Sequence, residues 1–82
     1  MRMDRYRFTE YFDSEVLQRR PYLTRALCVR VVQNPAASAV QPDGRIRFWA
    51  ISAELAGRLL QVLTLADGLT IHNAFIDRGV AP

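Results

Sequence analysis

The chain has 82 residues and a mass of 9.4 kDa, which allows one small domain and excludes two separate hydrophobic cores. Hydrophobic residues make up 50% and charged residues 23%, as in folded globular chains rather than disordered or membrane proteins. The longest uncharged apolar stretches, 36–40 and 59–66, are well below the roughly 18–20 residues that span a bilayer. The N-terminus lacks the apolar region of a secretory signal. We therefore expect a single cytoplasmic domain over residues 1–82, frayed at 1–4 and 79–82, with no membrane partner.

The basic residues are unusual, because all 11 are arginine and the chain contains no lysine. The net charge of +3 and the pI near 9.8 favour an anionic partner, either a nucleic acid or an acidic protein. Arginine suits such a partner because its planar fork can hold phosphate or carboxylate through two hydrogen bonds. GC-rich coding would produce the same composition, so the sequence leaves the cause of the bias open. A single cysteine and the absence of metal-ligand spacing predict no disulfide, metal or cofactor.

The first quarter of the chain predicts a strand and a short helix. Residues 5–12 alternate aromatic and polar side chains, which favours a strand with aromatic residues on a pleated surface. Asp13 and Ser14 then offer an N-cap for a short helix that runs to about Arg20 and ends at Pro21.

A stronger helix follows Thr24, a second candidate N-cap. Apolar residues recur at helical spacing, and Asn34 with Pro35 stops the pattern because a residue before proline is disfavoured in the α region. The apolar stripe consists of Leu23, Leu27, Cys28, Val31 and Val32. We expect Cys28 to be a buried small hydrophobic residue of this stripe rather than a reactive thiol.

Beyond this helix the apolar period changes to two, which indicates antiparallel strands joined by tight turns. Strands are predicted at 38–41, 45–51, 58–65 and 69–75, with turns at 42–44 and 67–68 and one helical turn within 52–57. The nearly continuous apolar character of 58–65 predicts a central strand covered on both faces. On the last strand, Leu69, Ile71, Asn73 and Phe75 are expected on one side, with Thr70, His72 and Ala74 on the other.

The predicted fold class is α+β, with one or two N-terminal helices packed on one face of a mostly antiparallel sheet of four to five strands. The apolar helix stripe needs the sheet to cover it. A domain of this size has a small core and marginal stability, so dimerisation or a partner is expected.

Four segments resemble the small ribonuclease toxins of bacterial toxin–antitoxin systems, the RelE/ParE-like and BrnT-like group. They are the helix that ends at Asn34-Pro35, the strand from Asp43 to Trp49, the Gly57-Arg58 strand to Thr64, and the last strand from Thr70 to Phe75. The resemblance is one of pattern and covers about residues 24–78. It implies RNA cleavage, often on the ribosome, or action on gyrase, and neutralisation by a cognate acidic antitoxin.

Metal-free RNA cleavage needs a base, cations for the phosphorane and an acid. His72 is the only histidine, and the ordinary pKa of histidine, about 6.5, suits proton transfer at neutral pH. Arg47 and Arg78 are the candidate phosphate-stabilising cations beside it. Each residue has a structural alternative: His72 as a strand residue at the sheet surface, Arg47 as a solubilising charge, and Arg78 as the partner of Asp77.

Candidate RNA-binding residues are Arg45, Trp49, Arg25, Arg30 and Tyr22. Arg45 and Trp49 share a strand face with Arg47, where arginines can hold phosphates and the indole can stack on a base. Arg25 and Arg30 would give a basic helical edge, and Tyr22 would stack on a base or position the substrate. The alternative is that the arginines face solvent and that the aromatic rings pack in the core.

Two functions from different classes therefore remain open, and a third possibility is an inactive member of the toxin-like fold that is retained for binding only. The first is a toxin-like protein that binds and cleaves RNA, which requires His72 and at least two arginines to converge on one point. The second is a non-enzymatic interaction module that pairs through a sheet edge or an aromatic face, as a homodimer or with an acidic protein.

Overall fold

A computed structural model describes residues 5–78 of the chain and shows an α+β fold, as the sequence predicts. A mixed sheet has the strand order β1-β5-β4-β3-β2, and all pairs are antiparallel except β1 with β5. The strands are β1 Arg7–Phe8, β2 Ala37–Val40, β3 Ile46–Ser52, β4 Arg58–Thr64 and β5 Thr70–Ile76. Helical segments are a π-helical segment Phe12–Val16, α1 Leu17–Arg19, α2 Arg25–Gln33 and a 3-10 turn Ala53–Leu55.

The first predicted strand is wrong in length. Only Arg7–Phe8 forms a strand, and the chain is helical from Glu10, so Asp13 and Ser14 lie inside the helical stretch rather than capping it. The cap is Thr9, whose hydroxyl oxygen accepts the N–H of Phe12 at 3.1 Å. The aromatic residues at 8 and 12 fit a helical spacing as well as an alternating one, and their rings contact each other at 5.5 Å between centroids.

The main helix confirms its prediction at both ends. The Thr24 hydroxyl accepts the N–H of Leu27 at 3.0 Å, and α2 ends at Gln33, directly before Asn34-Pro35. Cys28 is fully buried in the apolar stripe, and burial raises the pKa of its thiol to about 12. The cysteine is therefore a core residue, as expected.

α2 packs on one face of the sheet, where it contacts β3, β4 and β5. Within residues 5–78, the buried hydrophobic residues form one cluster between the helical layer and this face. They are Phe12, Val16, Leu23, Leu27, Cys28, Val29, Val31, Val32, Leu60, Val62, Ile71 and Ala74. The expected fraying at 1–4 and 79–82 lies outside the described residues.

β4 is the central strand, as predicted, and its middle is covered on both faces. Leu60 and Val62 are fully buried against the helical layer, and Gln61 on the other side is buried at 5% exposure, whereas Leu59 and Leu63 on either side of it stay partly exposed. No helix of the described chain is long and apolar enough to cross a membrane.

Candidate functional site

Within residues 5–78, no helix packs on the side of the sheet opposite α2, and we call this side the open face. Residues paired across strands share a face, so the register assigns every second residue of β3, β4 and β5 to it. These residues are Arg47, Trp49 and Ile51 of β3, Leu59, Gln61 and Leu63 of β4, and Asn73 and Phe75 of β5. Arg45, directly before β3, continues the same alternation. The open face therefore carries polar, aromatic and cationic groups beside its aliphatic side chains.

His72 occupies a β-bulge in β5. The register places Ile71 opposite Thr64 and Asn73 opposite Leu63, which leaves His72 as the extra residue. A bulge of this kind redirects the side chain and breaks the simple alternation of faces. The predicted faces of β5 are therefore wrong: Ile71 and Ala74 are buried together against the helical layer, whereas Asn73 pairs on the open face.

The imidazole of His72 is held by the segment that follows β1. Its Nδ1 lies 3.0 Å from the hydroxyl oxygen of Thr9, and the Tyr11 ring lies over it with centroids 5.1 Å apart. Thr9 also accepts the N–H of Phe12, and its hydroxyl can either donate to Nδ1 or accept from it. In the first arrangement the neutral ring carries its proton on Nε2, where it can donate to a ligand.

Two effects lower the pKa of His72 below its ordinary value. The larger is burial, which disfavours the charged imidazolium, and the second is the positive charge of Arg45. The ring is therefore neutral at pH 7. Arg45 itself lies beside the turn carboxylate, with 3.8 Å between its Nε and an oxygen of Asp43. Together, His72 and Arg45 place a neutral donor and a cation near each other at one end of the open face.

Trp49 lies toward the other end of this face. Its indole N–H donates to a carboxylate oxygen of Asp77 at 2.9 Å, which carries the side chain across β4 to the end of β5. A hydrogen bond at this nitrogen lies in the ring plane, so it orients the indole without covering its faces. Phe75 lies on the same face, since it pairs with Gln61, which in turn pairs with Trp49.

The three predicted catalytic residues do not converge. Arg47 is directed away from β5 toward the sheet edge. There its Nη2 and Nε donate to the amide oxygen of Gln41, at 2.7 and 2.6 Å. Arg78 follows His72 by six residues of extended chain, a separation of roughly 20 Å. The arginine that approaches His72 is instead Arg45, which the sequence assigned to RNA binding.

The other predicted RNA-binding residues lie away from the open face, on the helical side or its margin. Arg25 makes two hydrogen bonds to Asp13, at 3.2 and 2.6 Å, and its guanidinium lies 4.7 Å from the Phe8 ring. Arg30 forms an ion pair with Glu54. The Tyr22 hydroxyl lies 3.4 Å from the N–H of Ile76. The exposed side chains of Arg25 and Arg30 agree with the structural alternative for the arginines, whereas Tyr22 is exposed and does not pack in the core.

Sequence reasoning placed neither Thr9 nor Tyr11 beside His72. Both lie in the segment whose structure was mispredicted as a strand, and their approach to His72 depends on the parallel pairing of β1 with β5. Threonine is a residue type favoured at helix N-caps, so Thr9 was a local signal for a helix that begins at residue 10.

A separate groove of about 320 Å³ lies between α2 and the end of β3. The Arg30–Glu54 ion pair borders it, and it contains none of the residues around His72. Among residues 5–78, no group of three or more His, Cys, Asp or Glu side chains is placed to hold a metal ion. Comparisons of the chain with protein-family models, with curated proteins and with solved structures found no match.

Proposed function

We propose that this protein binds single-stranded RNA on the open face of its sheet and that Arg45 and His72 hold a phosphate there. The observation that carries the proposal is the strand register: Arg45 directly precedes Ile46, which pairs with Thr64, and His72 directly follows Ile71, which also pairs with Thr64. The two residues therefore lie at the same end of the sheet, and the charge of Arg45 lowers the pKa of the imidazole. A phosphate between the two groups would accept hydrogen bonds from both and would offset the Arg45 charge that disfavours the imidazolium.

Aromatic residues on the same face support a single-stranded ligand. Trp49 and Phe75 lie on the open face, and Tyr11 lies against His72. Unpaired bases can stack on such rings while the backbone follows the cations, which is how sheet surfaces commonly bind single strands. The net charge of +3 favours the same class of ligand.

Cleavage of the bound RNA is the activity that the toxin resemblance implies, and His72 is the residue we assign to it. In this step Nε2 takes the proton of the 2′-hydroxyl, the 2′ oxygen attacks phosphorus, and the P–O5′ bond breaks. The protonated imidazole then returns the proton to the departing 5′ oxygen. Nε2 must be unprotonated for the first transfer, so the proton shared with Thr9 must then reside on Nδ1. Arg45 would stabilise the charge on the phosphorane, whereas Arg47 and Arg78 take no part.

Binding is tested by fluorescence anisotropy with a labelled 12-nucleotide RNA of mixed sequence. We compare wild-type protein with Arg45→Gln and with Arg19→Gln as the matched control. Arg19 is also exposed and paired with one carboxylate, Glu15 at 3.0 Å, but it lies in α1, away from the open face. We expect Arg45→Gln to weaken binding about tenfold and to reduce the salt slope by about 0.7, and Arg19→Gln to leave both nearly unchanged.

Equal losses in the two variants would contradict a site at Arg45, and undetectable binding by folded wild-type protein would contradict the function. Labelled single-stranded DNA and duplex RNA are run in parallel, and equal affinity for duplex RNA would contradict base stacking on the open face. Cleavage is measured separately on gels with wild type and His72→Asn, whose side-chain oxygen can still accept from Thr9. Cuts that persist in His72→Asn would remove His72 from the chemistry.

An interaction module is the second candidate function, and one observation favours it. β2 lies at the edge of the sheet and all four of its residues are exposed. An exposed edge strand can pair with a strand of another chain.

A further inference from the structure

Apart from its short length and the prolines on either side of it, the edge strand β2 lacks the features that usually prevent edge-to-edge pairing. Residues 34–41 carry no charge, and residues 36–41 contain no proline. Natural edge strands are commonly protected by lysine, proline or inward-pointing charges. Val40 is 70% exposed, although it is an apolar residue of a strand. β2 therefore presents an uncharged edge with its backbone accessible.

The hydrogen bonding of β2 shows which backbone groups are accessible. The N–H of Gln41 donates to the carbonyl oxygen of Arg45 at 2.7 Å, across the turn to β3. Residues of an antiparallel pair alternate between bonding to the partner strand and pointing away from it. Ala39 and Ala37 therefore bond to β3, whereas the N–H and C=O groups of Ser38 and Val40 point outward. Within residues 5–78, no strand lies beyond β2 to receive them.

These outward groups are self-complementary in one register. If two copies pair antiparallel, Ser38 can face Val40 of the second copy and Val40 can face its Ser38, which forms four backbone hydrogen bonds. A shift in one direction places Val40 opposite Ala36, whose N–H already donates to the Trp49 carbonyl at 2.7 Å. A shift in the other direction places Ser38 opposite Pro42, which has no N–H.

We propose that this protein forms a two-fold dimer in which β2 pairs with β2 of a second copy in this register. The two sheets then become one continuous sheet, and Ala39 faces its own copy across the two-fold axis. The occupant is a second copy because the edge satisfies its own hydrogen bonds without charge repulsion, although each chain has a net charge of +3. Arg47 of β3 pairs with Ala39 and reaches toward this edge, where its guanidinium donates to the amide oxygen of Gln41.

The short contact between the two β2 strands limits the strength of the dimer. Because β2 has four residues, this contact buries much less surface than the roughly 1,200–2,000 Å² of a stable interface. We therefore expect reversible association with a Kd in the micromolar range. The dimer does not depend on RNA binding, because β2 contributes none of the groups around His72.

The test is sedimentation velocity on the full chain from about 5 to 500 µM, a range that brackets a micromolar Kd. We expect a monomer–dimer equilibrium in the wild type. Ala39→Glu and Ala39→Lys place like charges opposite each other across the axis, so each alone is expected to be monomeric. An equimolar mixture of the two is expected to dimerise again. Ala53→Lys, an exposed alanine in the 3-10 turn, is the matched control and should dimerise like the wild type.

Wild type that stays monomeric throughout this range would overturn the dimer. Dimers that persist in both Ala39 variants would overturn the β2 interface, and a mixture that stays monomeric would overturn the register. Amide hydrogen exchange of the wild type gives a readout without substitutions. The Ser38 and Val40 amides should exchange more slowly at high concentration, while the Ala37 and Ala39 amides are protected at both concentrations. Equal exchange of Ser38 and Val40 at both concentrations would also overturn the proposal.

Discussion

The two faces of the sheet are formed by alternate residues of the same strands, yet their side chains differ in burial and in polarity. On the covered face, Leu60, Val62 and Ile71 are fully buried against the helical layer. On the open face, Leu59 and Phe75 are partly exposed and share the surface with ionisable and polar groups. The side chains at the centre of the covered face are taken up by packing, whereas replacing a side chain on the open face costs less stability. The buried side chains that stabilise the fold therefore lie mainly on the covered face, and the polar and ionisable side chains that are accessible to a ligand lie on the open face.

The largest expected difference between the faces is in the unfolding free energy that is lost when a leucine of β4 is replaced by alanine. Leu60→Ala removes a fully buried side chain from the core, and we expect it to lower the free energy of unfolding by about 2–5 kcal/mol. Leu59→Ala removes a partly exposed side chain from the open face and should cost about 1 kcal/mol or less. Urea unfolding followed by circular dichroism measures both.

The substitution is the same at both positions and the two residues are neighbours in β4, so each variant controls for the other. Equal losses of unfolding free energy would mean that the open face is covered in solution, as it would be in a larger assembly. Unfolding therefore needs to be measured at low concentration, where the dimer proposed for β2 is dissociated.

Most of the architecture could be predicted from local pattern. The period of two after residue 36, the Asp43-Gly44 and Asp67-Gly68 turns and the Thr24 cap each act within a few residues, so the hairpins and α2 follow from the sequence. The Gly44 turn needs a positive φ, observed at +92°, which glycine adopts without strain. The first strand was mispredicted because the aromatic residues at 8 and 12 fit a strand and a helix equally well.

The site was less predictable because it depends on pairing across long stretches of the chain. Thr9 and His72 are 63 positions apart and meet through the β1–β5 pair. The bulge that redirects His72 arises from a register shift between β4 and β5, which has no glycine or proline to mark it in the sequence. Arg45 and Arg47 share a face as predicted, but only the pairing shows that one approaches His72 and the other the edge.

The helical layer that separates the two faces depends in part on one side-chain hydrogen bond. Thr24→Ala removes the hydroxyl that accepts the N–H of Leu27, and we expect a loss of about 1 kcal/mol in unfolding free energy. Thr24→Ser keeps the hydroxyl and should retain most of that stability. Urea unfolding of the two variants checks this, and an equal loss in both would show that the methyl group rather than the cap is responsible.

The smallest expected effect concerns the open face alone and appears as a dependence of stability on pH. The pKa of His72 is lowered in the folded protein, so the unfolded chain binds this proton more readily. The stability that neutral His72 contributes is fully present above about pH 6.5, the pKa of histidine in the unfolded chain. It is lost as the pH falls through the lower pKa of His72 in the folded protein. Asp67, whose pKa is lowered from 3.8 chiefly by the Thr70 hydroxyl, loses its contribution only in more acidic solution.

Urea unfolding at pH 7 and at pH 5.5 should therefore show lower stability at the acid value in the wild type and a smaller difference in His72→Asn. Arg45→Gln separates the two causes of the shift, because it removes the nearby charge and leaves the burial of the ring in place. An NMR titration of His72 in that variant should give a pKa closer to 6.5 but still below it. A His72 pKa that does not change in Arg45→Gln would mean that the guanidinium does not approach the imidazole in solution. The phosphate site on the open face would then lose its cation, while the covered face and the fold would be unaffected.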